Sequence, residues 1–186
     1  MTITKASLRK QLLRQRRSLE PELWRNYSDR LCSNLQNSSI FQQAETILGY
    51  FSINQEPDLS PLFTQKTWGF PRCLGDSLHW YYWQPTEVLI KGSYGIPEPS
   101  LDASRVSPDQ VDLILVPAVA CDAQGYRLGY GGGFYDRLFQ QTQWSKITAI
   151  AIVFDFAYLP SLPRDSWDKQ LQGICTESRV YLQTRL

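Results

Sequence analysis

Hydrophobic residues recur along the chain in two rhythms. At the start, Leu8, Leu12 and Leu13 repeat at helical spacing within Thr4 to Arg17, and Thr4 is placed to cap the first turn. A second helix is expected from about Glu20 to Leu35. Pro21 suits its first turn and Asn37 its end, and Leu23, Trp24, Tyr27, Leu31 and Leu35 fall in one stripe expected to face the core. Short apolar runs read as strands: Thr46 to Phe51, Thr67 to Pro71, Leu78 to Trp83, Val111 to Val116, Ile147 to Phe154 and, as a strand or hairpin, Ile174 to Leu182. Leu59 to Gln65, after Pro57, reads as a short helix. The run Val111 to Val116 carries a single polar residue, Asp112, near its head. It suits a strand buried on both faces of a sheet, and Pro117 ends it because proline cannot donate to a ladder. Strands and helices mostly alternate, so the expected architecture is a three-layer α/β domain with a mostly parallel sheet, one domain over residues 1–186.

Composition narrows the function classes. Hydrophobic residues make up 42% of the 186 and charged residues 20%, a globular balance that argues against disorder. The formal net charge of +1 supplies no overall field to draw in nucleic acid or a membrane, so any basic site must be local. No run approaches the ~20 apolar residues of a membrane span. Cys32, Cys73, Cys121 and Cys175 form no CxxC pair, which argues against zinc and suits reduced thiols in a cytoplasmic protein. The first acidic residue is Glu20, and the basic stretch before it also has the look of an organelle transit peptide. His79 is the only histidine and sits in an apolar, aromatic run, so its expected role is structural. A hydrolase built on a histidine base is correspondingly disfavoured.

Candidate chemistry concentrates after the buried run. Gly125, Gly129, Gly131, Gly132 and Gly133 lead into FYDRLF, which resumes helical spacing. Strand, glycine loop and helix in that order build anion sites, because backbone N–H groups point outward and glycine allows close approach. The loop lacks the GKS or GKT of a Walker loop, and its spacing is not GxGxxG. On the glycines alone, a phosphate site and a tight structural turn are equally open. Arg127 before them and Asp136 and Arg137 after them favour phosphate, since a cation neutralises it and a carboxylate can share a magnesium ion with it. Lys5 and Arg9 lie four apart on one helical face, with Arg14, Arg16 and Arg17 beyond. That face is either a solvated surface or a cationic wall for a polyphosphate. Glu56 follows the Thr46 run in a turn-rich segment, where ligands of open α/β sheets sit.

The segment RLGYGGGFYDR, preceded by LILVPAVACDAQGY, resembles the signature of the 5-formyltetrahydrofolate cyclo-ligase family. Lys5, Leu8 and Arg9 match the Lys-x-x-Leu-Arg helix with which that family opens, and Gly95 to Pro99 resembles its Gly-Ile-x-Glu-Pro segment. The resemblance implies a fold similar to the NagB/RpiA/CoA-transferase group. It also implies ATP- and magnesium-dependent conversion of 5-formyltetrahydrofolate to 5,10-methenyltetrahydrofolate. By the same resemblance, Lys5, Arg9, Arg127, Leu128, Gly129, Tyr130, Gly131, Gly132, Gly133, Phe134 and Tyr135 contact ATP. Phe51, Glu56, Tyr130, Gly131, Gly132, Gly133 and Phe134 contact the folate. Asp136 and Asp168 hold Mg2+, with Asp165 close enough to be confused with Asp168. Arg127, Gly131, Gly132 and Asp136 are the catalytic set. Gln172 stands where many members carry an acid, a departure in the expected metal shell. The implied partners are small molecules, a reduced folate and ATP, with no nucleic acid and no membrane, acting on a cytoplasmic monomer. Tyr135 is also suited to core packing, and Glu98 is left without a chemical role.

Overall fold

The apolar runs become the strands of a computed structural model that describes residues 4–183. In chain order the strands are β1 (Thr46–Leu48), β2 (Thr67–Leu74), β3 (Ser77–Tyr82), β4 (Ile90–Lys91), β5 (Pro97–Glu98), β6 (Leu113–Pro117), β7 (Ala120–Asp122), β8 (Arg127–Leu128), β9 (Thr148–Ile152), β10 (Tyr158–Leu159), β11 (Gly173–Cys175) and β12 (Val180–Leu182). The helices are α1 (Lys5–Arg17), α2 (Pro21–Gln36), α3 (Ser39–Gln43), α4 (Phe134–Gln140) and α5 (Thr142–Ser145). Seven strands form the main sheet in the order β12-β11-β9-β6-β1-β2-β3. Its inner pairings are parallel, and β12 and β3 close the edges as antiparallel hairpin partners.

The buried run Leu113–Val116 is the middle of this sheet and shows why it must be apolar throughout. Ile114 and Val116 face a core built with Leu8 and Leu12 of α1 and Leu138 and Phe139 of α4. Leu113 and Leu115 face a second core with Leu31 and Leu35 of α2 and Phe41 of α3. Helices therefore cover both faces, which gives three layers. A capping box supports the start of α1: the Thr4 side chain accepts from the Ser7 N–H at 3.2 Å, and Ser7 answers on the Thr4 N–H at 3.1 Å.

Asp112 is explained by what lies beside it. Its Oδ2 accepts from the N–H groups of Glu45 and Thr46, each at 2.9 Å, and its own N–H donates to Thr46 O at 3.0 Å. The side chain thus sets the register at which β1 begins beside β6.

Several expectations need correction. The strand expected over Thr46 to Phe51 ends at Leu48, because Tyr50 and Phe51 turn out of the ladder toward a cavity. The helix expected over Leu59 to Gln65 is a single 3-10 turn, Ser60–Leu62. β2 runs on past Pro71 to Leu74. Proline is tolerated there because β1 pairs only with Thr67 to Gly69, so no neighbour on that side asks for the Pro71 N–H. Leu23, placed by spacing in the core stripe of α2, is 41% exposed, while Leu31 and Leu35 are fully buried. The glycine loop does not follow the buried strand directly. The hairpin β7–β8 intervenes and forms a small second sheet with β10.

Asp112→Ala leaves two strand-leading N–H groups without their carboxylate. It should lower unfolding stability by about 1–2 kcal/mol, the size expected for charge-assisted bonds near the surface. Urea unfolding with an unchanged m-value would report it; a loss below a few tenths of a kcal/mol would contradict the register role.

Candidate active site

Where β1 and β6 end, the chain leaves the sheet on the same side, and a cavity of about 660 Å³ opens there. The carboxyl ends of parallel strands are where open α/β sheets bind ligands. Segments far apart in the chain wall the cavity, four of them carrying the charged and loop residues. α1 brings Lys5 and Arg9, the segment after β1 brings Phe51 and Glu56, Arg127 to Asp136 forms a continuous side, and the loop after β10 adds Asp165 and Asp168. All the residues that the resemblance implied therefore meet around one space.

Lys5, Arg9 and Arg127 are already partnered. Lys5 Nζ lies 2.7 Å from Asp165 and 2.5 Å from Asp168. Partial burial alone would push the Lys5 ammonium down, but the hydrogen bonds to the two carboxylates outweigh it and the net shift is upward. Asp168 is the more organised of the two acids: its Oδ2 also accepts from the Asp165 N–H at 2.8 Å, and its side chain is 10% exposed against 43% for Asp165. Arg127 sits in strand β8, not in the loop, and is nearly buried. Its Nη2 donates to Asp136 Oδ1 at 3.0 Å, and its guanidinium lies 5.7 and 5.8 Å from the ring centroids of Tyr135 and Phe139. Arg9 Nε donates to Gly129 O at 2.7 Å, and Arg137 Nη2 to Gly132 O at 2.8 Å.

These arginines anchor the glycine loop by its carbonyls. Gly131 and Gly133 have φ of 110° and 68°, a region that side-chain-bearing residues rarely adopt, so the loop's path requires glycine there. Gly133 directly precedes α4 and caps it without a side chain. Phe134 leads the helix, and Tyr135 packs within 6.4 Å of the ring centroids of both Trp80 and Phe139. Tyr135 thus serves the core while touching the cavity.

Glu56 is 2% exposed and held by its surroundings. Its Oε2 accepts from the Ile53 N–H at 3.1 Å, and its backbone carbonyl accepts from Trp24 Nε1 at 2.9 Å and Ser52 Oγ at 2.8 Å. Burial pushes the carboxyl above its ordinary range, opposed by the Arg16 guanidinium, the Ile53 N–H and the Tyr130 hydroxyl. Phe51 stacks on Phe70 at 4.1 Å between centroids and meets Phe63 and Trp83 edge-on. Phe51, which lines the cavity, is therefore backed by packed aromatic rings.

The sequence places Arg16 on a basic face that is either solvated or a wall for polyphosphate; it is instead 4% exposed, buried inside the protein. Its Nη2 lies 3.9 Å from Glu56 Oε1 and bonds the Tyr130 hydroxyl. The signal was present: Leu8, Leu12 and Arg16 are each four apart, so Arg16 continues the buried stripe. Glu98, left without a role, forms a buried pair with Arg72 at 3.4 Å and accepts from the Cys73 N–H at 3.1 Å. This pair roots the ribbon β4–β5, whose tip places Tyr94 in the cavity wall with its ring 6.0 Å from Phe134. Gln172 accepts from the Ala149 N–H at 2.7 Å and belongs to the sheet rather than to the cavity wall. His79 lies on β3 and pairs with Arg105, away from the cavity.

No group of three or more His, Cys, Asp or Glu able to hold a metal by itself occurs among the described residues. Asp136 and Asp168 nevertheless border the same cavity as two hard oxygen donors. That set fits Mg2+ held by one or two carboxylates together with substrate phosphates. No helix among the described residues is long and apolar enough to cross a membrane.

The chain is similar to known proteins over nearly its whole length. The model of the 5-formyltetrahydrofolate cyclo-ligase family matches residues 1–177. The 5-formyltetrahydrofolate cyclo-ligase of Escherichia coli K12 is 31% identical over 180 residues, covering 91% of this chain and 99% of the relative. The 5-formyltetrahydrofolate cyclo-ligase of Mus musculus is 27% identical, covering 93% of each chain. The NMR structure of Aquifex aeolicus 5,10-methenyltetrahydrofolate synthetase superposes with a TM-score of 0.86 at 34% identity, over 99% of this chain and 96% of that one. With the family match spanning nearly the whole chain, and the glycine loop, its flanking charges and the buried glutamate gathered at one cavity, the protein belongs to the 5-formyltetrahydrofolate cyclo-ligase family.

Proposed function

We propose that the cavity binds ATP and 5-formyltetrahydrofolate together and closes the folate to 5,10-methenyltetrahydrofolate, releasing ADP and phosphate. The observation that carries this reading is the convergence of two unlike subsites on one loop. Lys5, Arg9 and Arg127 lie with Asp136, Asp168 and the loop Gly129–Gly133 at one cavity, and Glu56, Phe51, Tyr130 and Phe134 line the same space.

The chemistry needs both. A formamide oxygen is a poor leaving group. Transfer of the γ-phosphoryl group to that oxygen breaks the bond to ADP and makes the oxygen part of a phosphate. The neighbouring folate amine then attacks the formyl carbon, the carbon–oxygen bond breaks, phosphate leaves and the amine gives up its proton. Phosphoryl transfer depends on positioning and charge neutralisation rather than on a protein nucleophile. Lys5 and Arg127 supply charge for the triphosphate, and Arg9, through Gly129 O, fixes the loop that approaches it. Gly131 and Gly132 bring backbone close to the reacting atoms, where a Cβ would intrude. Asp136 and Asp168 would hold Mg2+, which when bound neutralises phosphate charge. Glu56 offers a carboxylate to the adjacent N–H donors of the pterin, and Phe51, Tyr130 and Phe134 pack on the ring.

ATP binding must exchange partners. Lys5 is released from Asp165 and Asp168, and Arg127 from Asp136, so that cations turn to phosphate and carboxylates to the metal. A tripartite exchange of this kind leaves no charge uncompensated.

The direct test mixes protein, ATP, magnesium and 5-formyltetrahydrofolate and follows the near-ultraviolet absorbance of the methenyl product. Absence of product with folded protein would overturn the reading. Asp136→Asn should lower kcat by about 100-fold or more with the fold intact, the scale of removing one positioned electrostatic group. Full activity at ordinary magnesium would refute its metal role. Glu56→Gln should raise the KM for folate about tenfold or more, the scale of a lost charge-assisted bond, with the KM for ATP within about twofold. Equal losses for both substrates would refute its pterin role.

A further inference from the structure

Arg16 is a buried cation outside the sets assigned above, and its guanidinium ties together the Glu56 segment, the chain just beyond β6 and Tyr130 of the glycine loop. Nε donates to Asn54 O at 3.1 Å, on the segment that carries Glu56. Nη1 donates to Ala118 O at 3.3 Å, just beyond the end of β6. Nη2 bonds the Tyr130 hydroxyl in the glycine loop and lies 3.9 Å from Glu56 Oε1. The Tyr130 ring also lies under the guanidinium, 5.5 Å from its centroid. Five donors in a planar fork can serve such divergent acceptors at once; a lysine ammonium cannot reproduce the geometry.

We propose that Arg16 is a positioning residue for the reaction. It keeps Glu56 as a hydrogen-bond acceptor for the pterin and registers that carboxylate against the loop that handles the phosphates. The inference rests on the folate role of Glu56 proposed above.

The charge environment supports it. Besides Arg16, the ionisable groups facing Glu56 are the hydroxyls of Tyr50, Tyr130 and Tyr135. Burial raises all three, that of Tyr130 to about 12, so they stay neutral near pH 7. Arg16 is thus the cation that opposes the burial of Glu56. Without it the carboxyl shifts further up and takes a proton nearer neutrality, turning an acceptor into a donor that meets the pterin N–H groups badly.

The test is a double-mutant cycle of Arg16→Met, Glu56→Gln and the pair, read as KM for folate and KM for ATP. Arg16→Met alone should raise the folate KM about tenfold or more and leave the ATP KM within about twofold. Its folate KM should fall as pH rises from 6 to 9, because ionising Glu56 restores the acceptor, while the unsubstituted enzyme stays flat. In the pair, the folate KM should lie within about threefold of Glu56→Gln alone, since Arg16 acts through a group already neutralised. A further tenfold loss in the pair, or an ATP KM that rises as much as the folate KM, would overturn the proposal. If Arg16→Met alone does not fold, the pair, which buries no unpaired charge, is compared directly with Glu56→Gln under the same criterion. An unchanged folate KM in Glu56→Gln would instead remove the Glu56 assignment, and this inference with it.

Discussion

Charge compensation inside one cavity is the constraint on which the site depends. Lys5, Arg9 and Arg127 in the cavity wall, and Arg16 beside its lining residues Tyr130 and Glu56, each hold an acceptor from another segment: Lys5 on Asp165 and Asp168, Arg9 on Gly129 O, Arg16 on Asn54 O, Arg127 on Asp136. Partly buried charges cannot stand alone, because desolvation costs more than solvation elsewhere returns. The same pairs therefore dock α1 and the C-terminal loop onto the sheet. They also hold the cations and carboxylates, partly exposed, at the place where a triphosphate and its metal would use them. Binding and folding share one set of charges, and the first helix is as much part of the site as the glycine loop.

The sheet makes this possible by its ending. β1 and β6 are parallel neighbours, β1 ending opposite Ile114 while β6 runs on to Pro117, and Tyr50 to Glu56 after β1 and Pro117 at the end of β6 contribute to the cavity wall. Two cores fix those strand ends from both faces. On the far wall, the buried Arg72–Glu98 pair gives the short ribbon β4–β5 a rigid root. A two-residue pairing would otherwise have little to hold Tyr94 at the opening.

Much of this was legible in the sequence, for reasons that differ by element. The run Leu113–Val116 could be read because a strand covered on both faces has no room for polar residues. The glycine loop could be read because Gly131 and Gly133 occupy backbone conformations closed to other residues. What escaped was short or cooperative. β7 and β8 span three and two residues, too few to show a period, so the hairpin between strand and loop left no trace. Leu23 fell on the right spacing and still faces solvent, because tertiary contacts and not the helix decide which edge of a stripe is covered. Arg16 was read only as one of a run of charges on α1 and Glu98 was left without a role, because each is buried with a partner that lies far along the chain. Arg16 in particular was betrayed only by its place four residues after Leu12.

The most direct measurement is a structure of the protein with magnesium, a non-hydrolysable ATP analogue and a reduced folate. The account predicts Lys5 and Arg127 turned onto phosphate oxygens, and Asp136 and Asp168 on one shared metal ion. It also places the pterin N–H groups on Glu56 within the same cavity. A nucleotide bound elsewhere, with the Lys5–Asp168 and Arg127–Asp136 pairs intact and the cavity without ligand, would contradict it.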